Sequence, residues 1–167
     1  MTRLRRLVLS DKIFFLTTNL RRGLAPFSPR ERKLLSHTVA AVRRRRQFQL
    51  AGFVVMPDHL HLLVRPLPGD PISVLMQELK YVSGRRINIA RGSRGTLWQK
   101  GFFDHFMRTP KEFAETLDYI HQNPVRKGLA QSAEDWRWSS APAYAGLECI
   151  ITIDFIDLPA QSEKPLS

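Results

Sequence analysis

Two histidines one residue apart, His59 and His61, stand in an otherwise apolar run. Phe53-Val54-Val55-Met56 leads into a Pro57-Asp58 turn before them, and Leu62-Leu63-Val64 follows. The flanks read as two short strands joined by a tight turn. On a strand, residues two apart share a face, with Cα atoms about 6–7 Å apart. Both imidazoles can then reach one divalent ion, while Leu60 and Leu62 pack into a core behind them. Two polar rings on an otherwise apolar strand need partners, and a metal ion supplies one.

Two histidines are an incomplete ligand set. Thr109-Pro110-Lys111-Glu112 opens a helix in which Tyr119 and Asn123 lie one turn apart on one face, at the edge of the stripe formed by Phe113, Leu117 and Ile120. An amide oxygen from Asn123 would complete a His-His-Asn site, a donor set suited to magnesium or manganese. Gln122 is a weaker candidate, and His121 projects away from Tyr119 toward the surface. A phenol beside a metal is chemically useful. Tyrosine is a weak nucleophile at neutral pH, and a cation that polarises the phosphoryl group under attack compensates for this. Tyr119 alone reads as an ordinary core-edge tyrosine; beside His59, His61 and Asn123 it reads as a nucleophile.

The elements that must position these groups are legible in outline. Ser28-Pro29-Arg30-Glu31 and Thr109-Pro110-Lys111-Glu112 are capping boxes with proline at the first helical position, and Asp70-Pro71 shares the cap and proline. Helices are expected at about 29–46, 71–90 and 110–123, the last stopped by Pro124. Strands are expected at Ile13–Thr18, Phe48–Met56, His59–Val64 and Phe102–Met107. The order matches an α+β, ferredoxin-like fold: a mostly antiparallel sheet with helices packed on it and an added helix carrying the tyrosine. One domain over 1–157 is expected, with 158–167 a frayed tail.

Composition sets the partner class. With 26 Lys plus Arg against 15 Asp plus Glu, the formal net charge is +11, and 43% apolar residues is ordinary for a folded domain. An Arg-rich basic chain suits an acidic polymer, most commonly nucleic acid. The single cysteine, Cys149, excludes a disulfide framework and a cysteine-rich zinc site. No secretory signal or membrane-length apolar run is present, so the reading is a cytoplasmic protein with no membrane partner.

Four motifs then occur in one order: Met56-Pro57-Asp58-His59-Leu60-His61, Leu97-Trp98-Gln99-Lys100-Gly101-Phe102, Asp118-Tyr119-Ile120-His121-Gln122-Asn123-Pro124-Val125 and Trp136-Arg137-Trp138-Ser139-Ser140. Together they resemble the single-tyrosine HUH transposases of the insertion-sequence class, most of all the REP-associated tyrosine transposases, over residues 10–145. The resemblance implies a ferredoxin-like enzyme that cuts and rejoins single-stranded DNA near a hairpin, as monomer or homodimer. It implies that His59 and His61 bind a divalent metal (Mg2+ or Mn2+), that Tyr119 attacks the DNA, and that Asn123 is the third ligand.

Other residues carry open alternatives. Asp58 is a turn residue or orients the metal site. His105 is a second-shell or DNA-contacting group, or a hydrogen-bonded structural histidine. Arg43, Arg44, Arg45 and Arg46 offset the helix dipole and are also candidates to grip DNA. So are Lys80, Arg85, Arg86 and Arg91 on the middle helix, and Trp98 and Gln99 after the basic Arg91–Gly95 loop. Tyr81 stacks on a base or is simply solvated, and Trp98 reads equally as a core anchor. Trp136 and Trp138 read as packing residues. The rival functions are a catalytically silent hairpin DNA- or RNA-binding module, and a hydrolase using metal-bound water at His59 and His61.

Overall fold

The computed structural model describes residues 12–156, so the expectation of a frayed tail at 158–167 falls outside the described residues. Its core is β1 (Phe14–Asn19), α1 (Pro29–Arg46), β2 (Gln49–Val55), β3 (His59–Arg65), α2 (Ile72–Arg91) and β4 (Phe103–Phe106), followed by the added helix α3 (Pro110–Arg126). A short 3-10 turn (Ala133–Asp135) and α4 (Ala141–Tyr144) come after it. The sheet order is β2-β3-β1-β4, with every neighbouring pair antiparallel. The expected ferredoxin-like α+β architecture is therefore present.

Strand alternation divides the sheet into two unlike faces. Leu16, Phe53, Val55, Leu60, Leu62 and Val64 face α1 and α2 and share one core with Leu35, Val39, Leu75, Met76 and Leu79. Ile13, Ala51, Val54, Met56 and Leu63 belong to a second, smaller core closed by Ile120 of α3 and by Trp136. His59 and His61 alternate with Leu60 and Leu62, so they emerge on this second face. The leucines are buried behind the histidines, as their spacing requires.

Three helix ends differ from expectation. Asp70 does not cap α2: that helix starts at Ile72 with no side-chain cap, and Asp70 pairs with Arg46 instead. At α3 the Thr109 hydroxyl accepts from the Glu112 N–H (3.1 Å), but the Glu112 carboxylate takes the Arg108 N–H (2.8 Å) rather than that of Thr109. Nor does α3 stop at Asn123. It runs through Pro124 to Arg126, because a proline in the last turn forfeits only one hydrogen bond before the helix ends anyway.

Two features seat α3 on the sheet. Gly52 lies at a register shift in β2, and a Cβ built there would come within 2.7 Å of Leu117 Cδ1. Its missing side chain is what lets the helix approach so closely. The segment after α3 then runs alongside β2: Val55 N–H donates to Trp138 O (2.8 Å), Ser140 N–H to Phe53 O (2.9 Å), and the Trp136 indole N–H to Val55 O (3.0 Å). Arg32 lies over Trp138 and Trp136 at 4.3 and 5.0 Å, so both tryptophans are packing residues. His121 is not at the surface: it is partly buried, its Nε2 lies 2.7 Å from Ser140 Oγ, and burial pushes its pKa down to about 4.

Gly52→Val should overpack this contact and lower stability by about 1–3 kcal/mol, read as a fall in denaturation midpoint. Gly52→Ala should cost less, since Leu117 can rotate away. Equal, negligible effects of both would show that the close approach does not matter.

Candidate active site

The sheet register aligns one row of side chains across all four strands. Thr17 is paired with His61 on one side and Phe103 on the other, and His61 is paired with Val54. His59 sits opposite Asn19 at the end of β1. The two imidazole centroids are 4.6 Å apart with their planes at 74°.

Each ring is held at Nδ1. His59 Nδ1 lies 2.7 Å from Asp58 Oδ1, and His61 Nδ1 lies 2.7 Å from Thr17 Oγ1. A carboxylate oxygen accepts, so His59 Nδ1 is the donor in this pair and its Nε2 is left for another partner. The same tautomer at His61 lets Nδ1–H donate to the Thr17 hydroxyl. His61 is only 5% exposed, and its Nε2 has no hydrogen-bond partner among the described residues. Burial, then the nearby His59 and Arg126, push its pKa down to about 3, so the ring is neutral at physiological pH. A neutral imidazole pinned at one nitrogen with a bare, buried second nitrogen is the arrangement of a metal ligand.

Helix α3 brings the tyrosine to this pair within one chain. The Tyr119 ring centroid is 5.7 Å from that of His61, and 46% of the residue remains exposed. Phe15 supports both rings, at 5.2 Å from His61 and 6.2 Å from Tyr119, with Phe103 at 6.0 Å on its other side. Asn123 follows one turn later and is buried. Among the described residues no group of three His, Cys, Asp or Glu side chains could hold a metal. The orphaned His61 Nε2 is nevertheless an atom that a divalent ion would fit.

Two residues at this site were missed from the sequence. Thr17 is visible only once β1 is registered against β3. Arg126 lies seven residues, two helical turns, beyond Tyr119, on the same face, and the spacing alone would have flagged it. Its guanidinium sits 4.5 Å over the Tyr119 ring, its Nη2 donates to the Tyr119 carbonyl (2.7 Å), and it has no carboxylate partner among the described residues.

Asp58 stays at the site, its carboxylate oxygen 2.7 Å from His59 Nδ1. The other candidates are placed elsewhere. His105 pairs with Glu112 beside the α3 cap. Arg43 binds Asp154 (2.6 Å), Arg45 binds Glu78 (2.6 Å), Arg46 binds Asp70 and Glu78, and Arg91 binds Glu31 (2.8 Å). Arg86 donates to Thr38 (3.1 Å), and Lys80 to the carbonyls of Gln99 (2.8 Å) and Gly101 (2.6 Å). Internal partners thus engage most of the expected DNA-gripping cations; Arg44 and Arg85 are exposed and have no carboxylate partner among the described residues. Trp98 is a core anchor, its indole N–H on Ser83 Oγ at 2.9 Å and its ring against Phe27. The Gln99 amide donates to Leu20 O (3.1 Å).

Residues 14–123 match the family model described as "Transposase IS200 like". The chain is 30% identical over 141 residues to a REP-associated tyrosine transposase of Escherichia coli (strain K12), covering 84% of this chain and 82% of that one. Among solved structures it is similar to a REP-associated tyrosine transposase bound to a REP hairpin. The TM-score is 0.69 at 29% identity, over 95% of this chain and 94% of the other.

Asp58→Ala and Thr17→Val each remove the group that fixes an imidazole. Each is expected to weaken Mn2+ binding about 10- to 100-fold, measured by titration, with little change in melting temperature. Unchanged affinity in both would mean that the imidazoles do not ligate the ion.

Proposed function

From the premise that this chain belongs to the IS200-like, single-tyrosine HUH transposases, in the REP-associated tyrosine transposase family, we propose that it cleaves and rejoins single-stranded or hairpin DNA with Tyr119 as nucleophile. The observation that carries this reading is the half-exposed phenol ring 5.7 Å from a buried imidazole whose Nε2 is left without a partner.

The Tyr119 oxygen attacks a DNA phosphorus, forming a phosphotyrosine linkage to the 5′-phosphate. The bond from phosphorus to the 3′-oxygen breaks, and that oxygen leaves as a 3′-hydroxyl, taking up the proton that the phenol gives away. A second DNA 3′-hydroxyl reverses the exchange and seals the strand. One phosphoester replaces another at each step, so rejoining needs no nucleotide cofactor.

His59, His61 and Asn123 would hold a divalent ion, Mg2+ or Mn2+, which when bound polarises a phosphoryl oxygen and offsets charge developing on it. The remaining work falls to the chain itself. Asp58 and Thr17 keep both Nε2 lone pairs facing the site. Phe15 fixes the angle between phenol and imidazole. Arg126, stacked on the tyrosine ring, offers its remaining N–H groups to a non-bridging phosphate oxygen and holds the phosphate against the phenol. The half-exposure of Tyr119 leaves room for the DNA backbone.

With Mn2+ or Mg2+, purified protein and structured single-stranded DNA should give a protein–DNA band that survives denaturing electrophoresis, and EDTA should abolish it. Tyr119→Phe is expected to lose that band by at least about 10^3-fold while still binding DNA. Cleavage without any covalent band would favour a metal-bound water hydrolase, and binding without cleavage a silent hairpin-binding module. Arg126→Ala should slow adduct formation by about 10^2-fold, with Arg126→Lys recovering part of the rate. A rate unchanged in Arg126→Ala would remove it from the reaction.

A further inference from the structure

His121 and Ser140 make a polar contact that the chemistry at the histidine pair does not use. His121 Nε2 lies 2.7 Å from Ser140 Oγ. Ser140 is fully buried, and it is itself fixed to β2. The Phe53 N–H donates to its hydroxyl at 3.0 Å, and its own N–H donates to Phe53 O at 2.9 Å. The His121 ring also packs on Tyr144, with centroids 5.2 Å apart, and the Tyr144 hydroxyl donates to Ala51 O at 2.7 Å. One side chain of α3 is thereby tied to the frame of β2. Val54, next after Phe53, is the register partner of His61 and bridges to Ser139. The latch and the metal-facing histidine therefore share one piece of sheet.

Helical geometry shows what such a latch controls. Successive residues turn about 100° around a helix axis, so Tyr119 and His121 flank Ile120 at about 100° to either side. Ile120 is fully buried and faces the sheet. On one flank Tyr119 leans toward His61 and Phe15; on the other His121 reaches Ser140 and Tyr144. An apolar contact such as that of Ile120 is non-directional, so it resists lifting of the helix but not turning. The Arg126 contacts to Tyr119 lie within α3 and turn with it. A hydrogen bond to a second element is directional and opposes the roll. With side chains the helix radius is about 5–6 Å, so a roll of about 10° carries the phenol about 1 Å.

We propose that the His121–Ser140 hydrogen bond sets the roll of α3 and so positions the Tyr119 phenol for attack. His121 is then a positioning residue, acting through the helix rather than on the DNA. A displacement of about 1 Å from attack geometry costs about 10^2-fold in rate, so one bond on the far flank of the helix has leverage over the chemistry. The inference rests on the reading of Tyr119 as the nucleophile and adds what holds that nucleophile in place.

The test compares, in the full chain, His121→Phe, which keeps a ring and loses the hydrogen bond, with His121→Gln, whose amide nitrogen reaches the place of Nε2. In single-turnover assays with Mn2+ and saturating structured single-stranded DNA, His121→Phe should form the covalent adduct about 10^2-fold more slowly, with DNA affinity within about twofold of wild type. His121→Gln should recover most of the rate. Tyr144→Phe removes a hydrogen bond from the same cluster but leaves the latch, so it should lower the melting temperature comparably and keep the rate within about twofold of wild type. A second readout needs neither DNA nor metal: NOEs from the Tyr119 ring to His61 and Phe15 should weaken in His121→Phe and return in His121→Gln. A His121→Phe rate equal to wild type, a rate loss shared in full by His121→Gln or Tyr144→Phe, or a loss accounted for by weaker DNA binding would each overturn the proposal. The two readouts keep the readings apart. Wild-type protein that forms no adduct, yet shows the NOE changes, refutes only the nucleophile; adduct formation with rate and NOEs unaltered in His121→Phe refutes only the latch.

Discussion

The whole arrangement depends on one unsatisfied atom. His61 Nε2 is buried with no hydrogen-bond partner among the described residues, a condition that costs a folded protein on the order of 1–3 kcal/mol. Its other nitrogen is tied to Thr17, so the ring cannot turn to find relief. His59 is tied in the same way by Asp58. The two imidazole centroids are 4.6 Å apart, and the buried His61 Nε2 beside His59 is an atom that a cation would satisfy.

What brings a phenol to that atom is the approach of α3. The helix can lie close to β2 because Gly52 has no side chain, and it is stapled there by the Trp136–Ser140 segment running along the strand. Its N-terminus is fixed by Thr109 and by the Glu112–His105 pair. Tyr119 is thereby held over Phe15 and beside His61, with Arg126 above its ring. Several features that look decorative in isolation (a glycine at a bulge, two tryptophans, a histidine on an edge strand) all bear on the position of one phenol.

The local grammar of the chain was readable. The alternation Phe53–Val64 placed the histidines on one face, and Ser28-Pro29 marked the start of α1 at its observed residue. What depended on partners distant in sequence was not. Thr17 lies 44 residues from His61 and becomes visible only through strand register. The arginine run 43–46 was read against the helix dipole and as a candidate grip on DNA, whereas the carboxylates that pair with Arg43, Arg45 and Arg46 come from Asp154, Glu78 and Asp70, far along the chain. His121 was misjudged because helical projection knows nothing of Ser140 and Tyr144, which cover it. Pro124 was over-read as a stop, a rule that weakens in a final turn.

The most direct measurement of the central claim is imidazole 15N NMR of the protein titrated with Mn2+. The expected result is that His59 and His61 lose their Nε2 signals first, together with the Asn123 side-chain amide, while His105 and His121 persist. Broadening that spares His61 Nε2, or that begins at another set of histidines, would contradict the account.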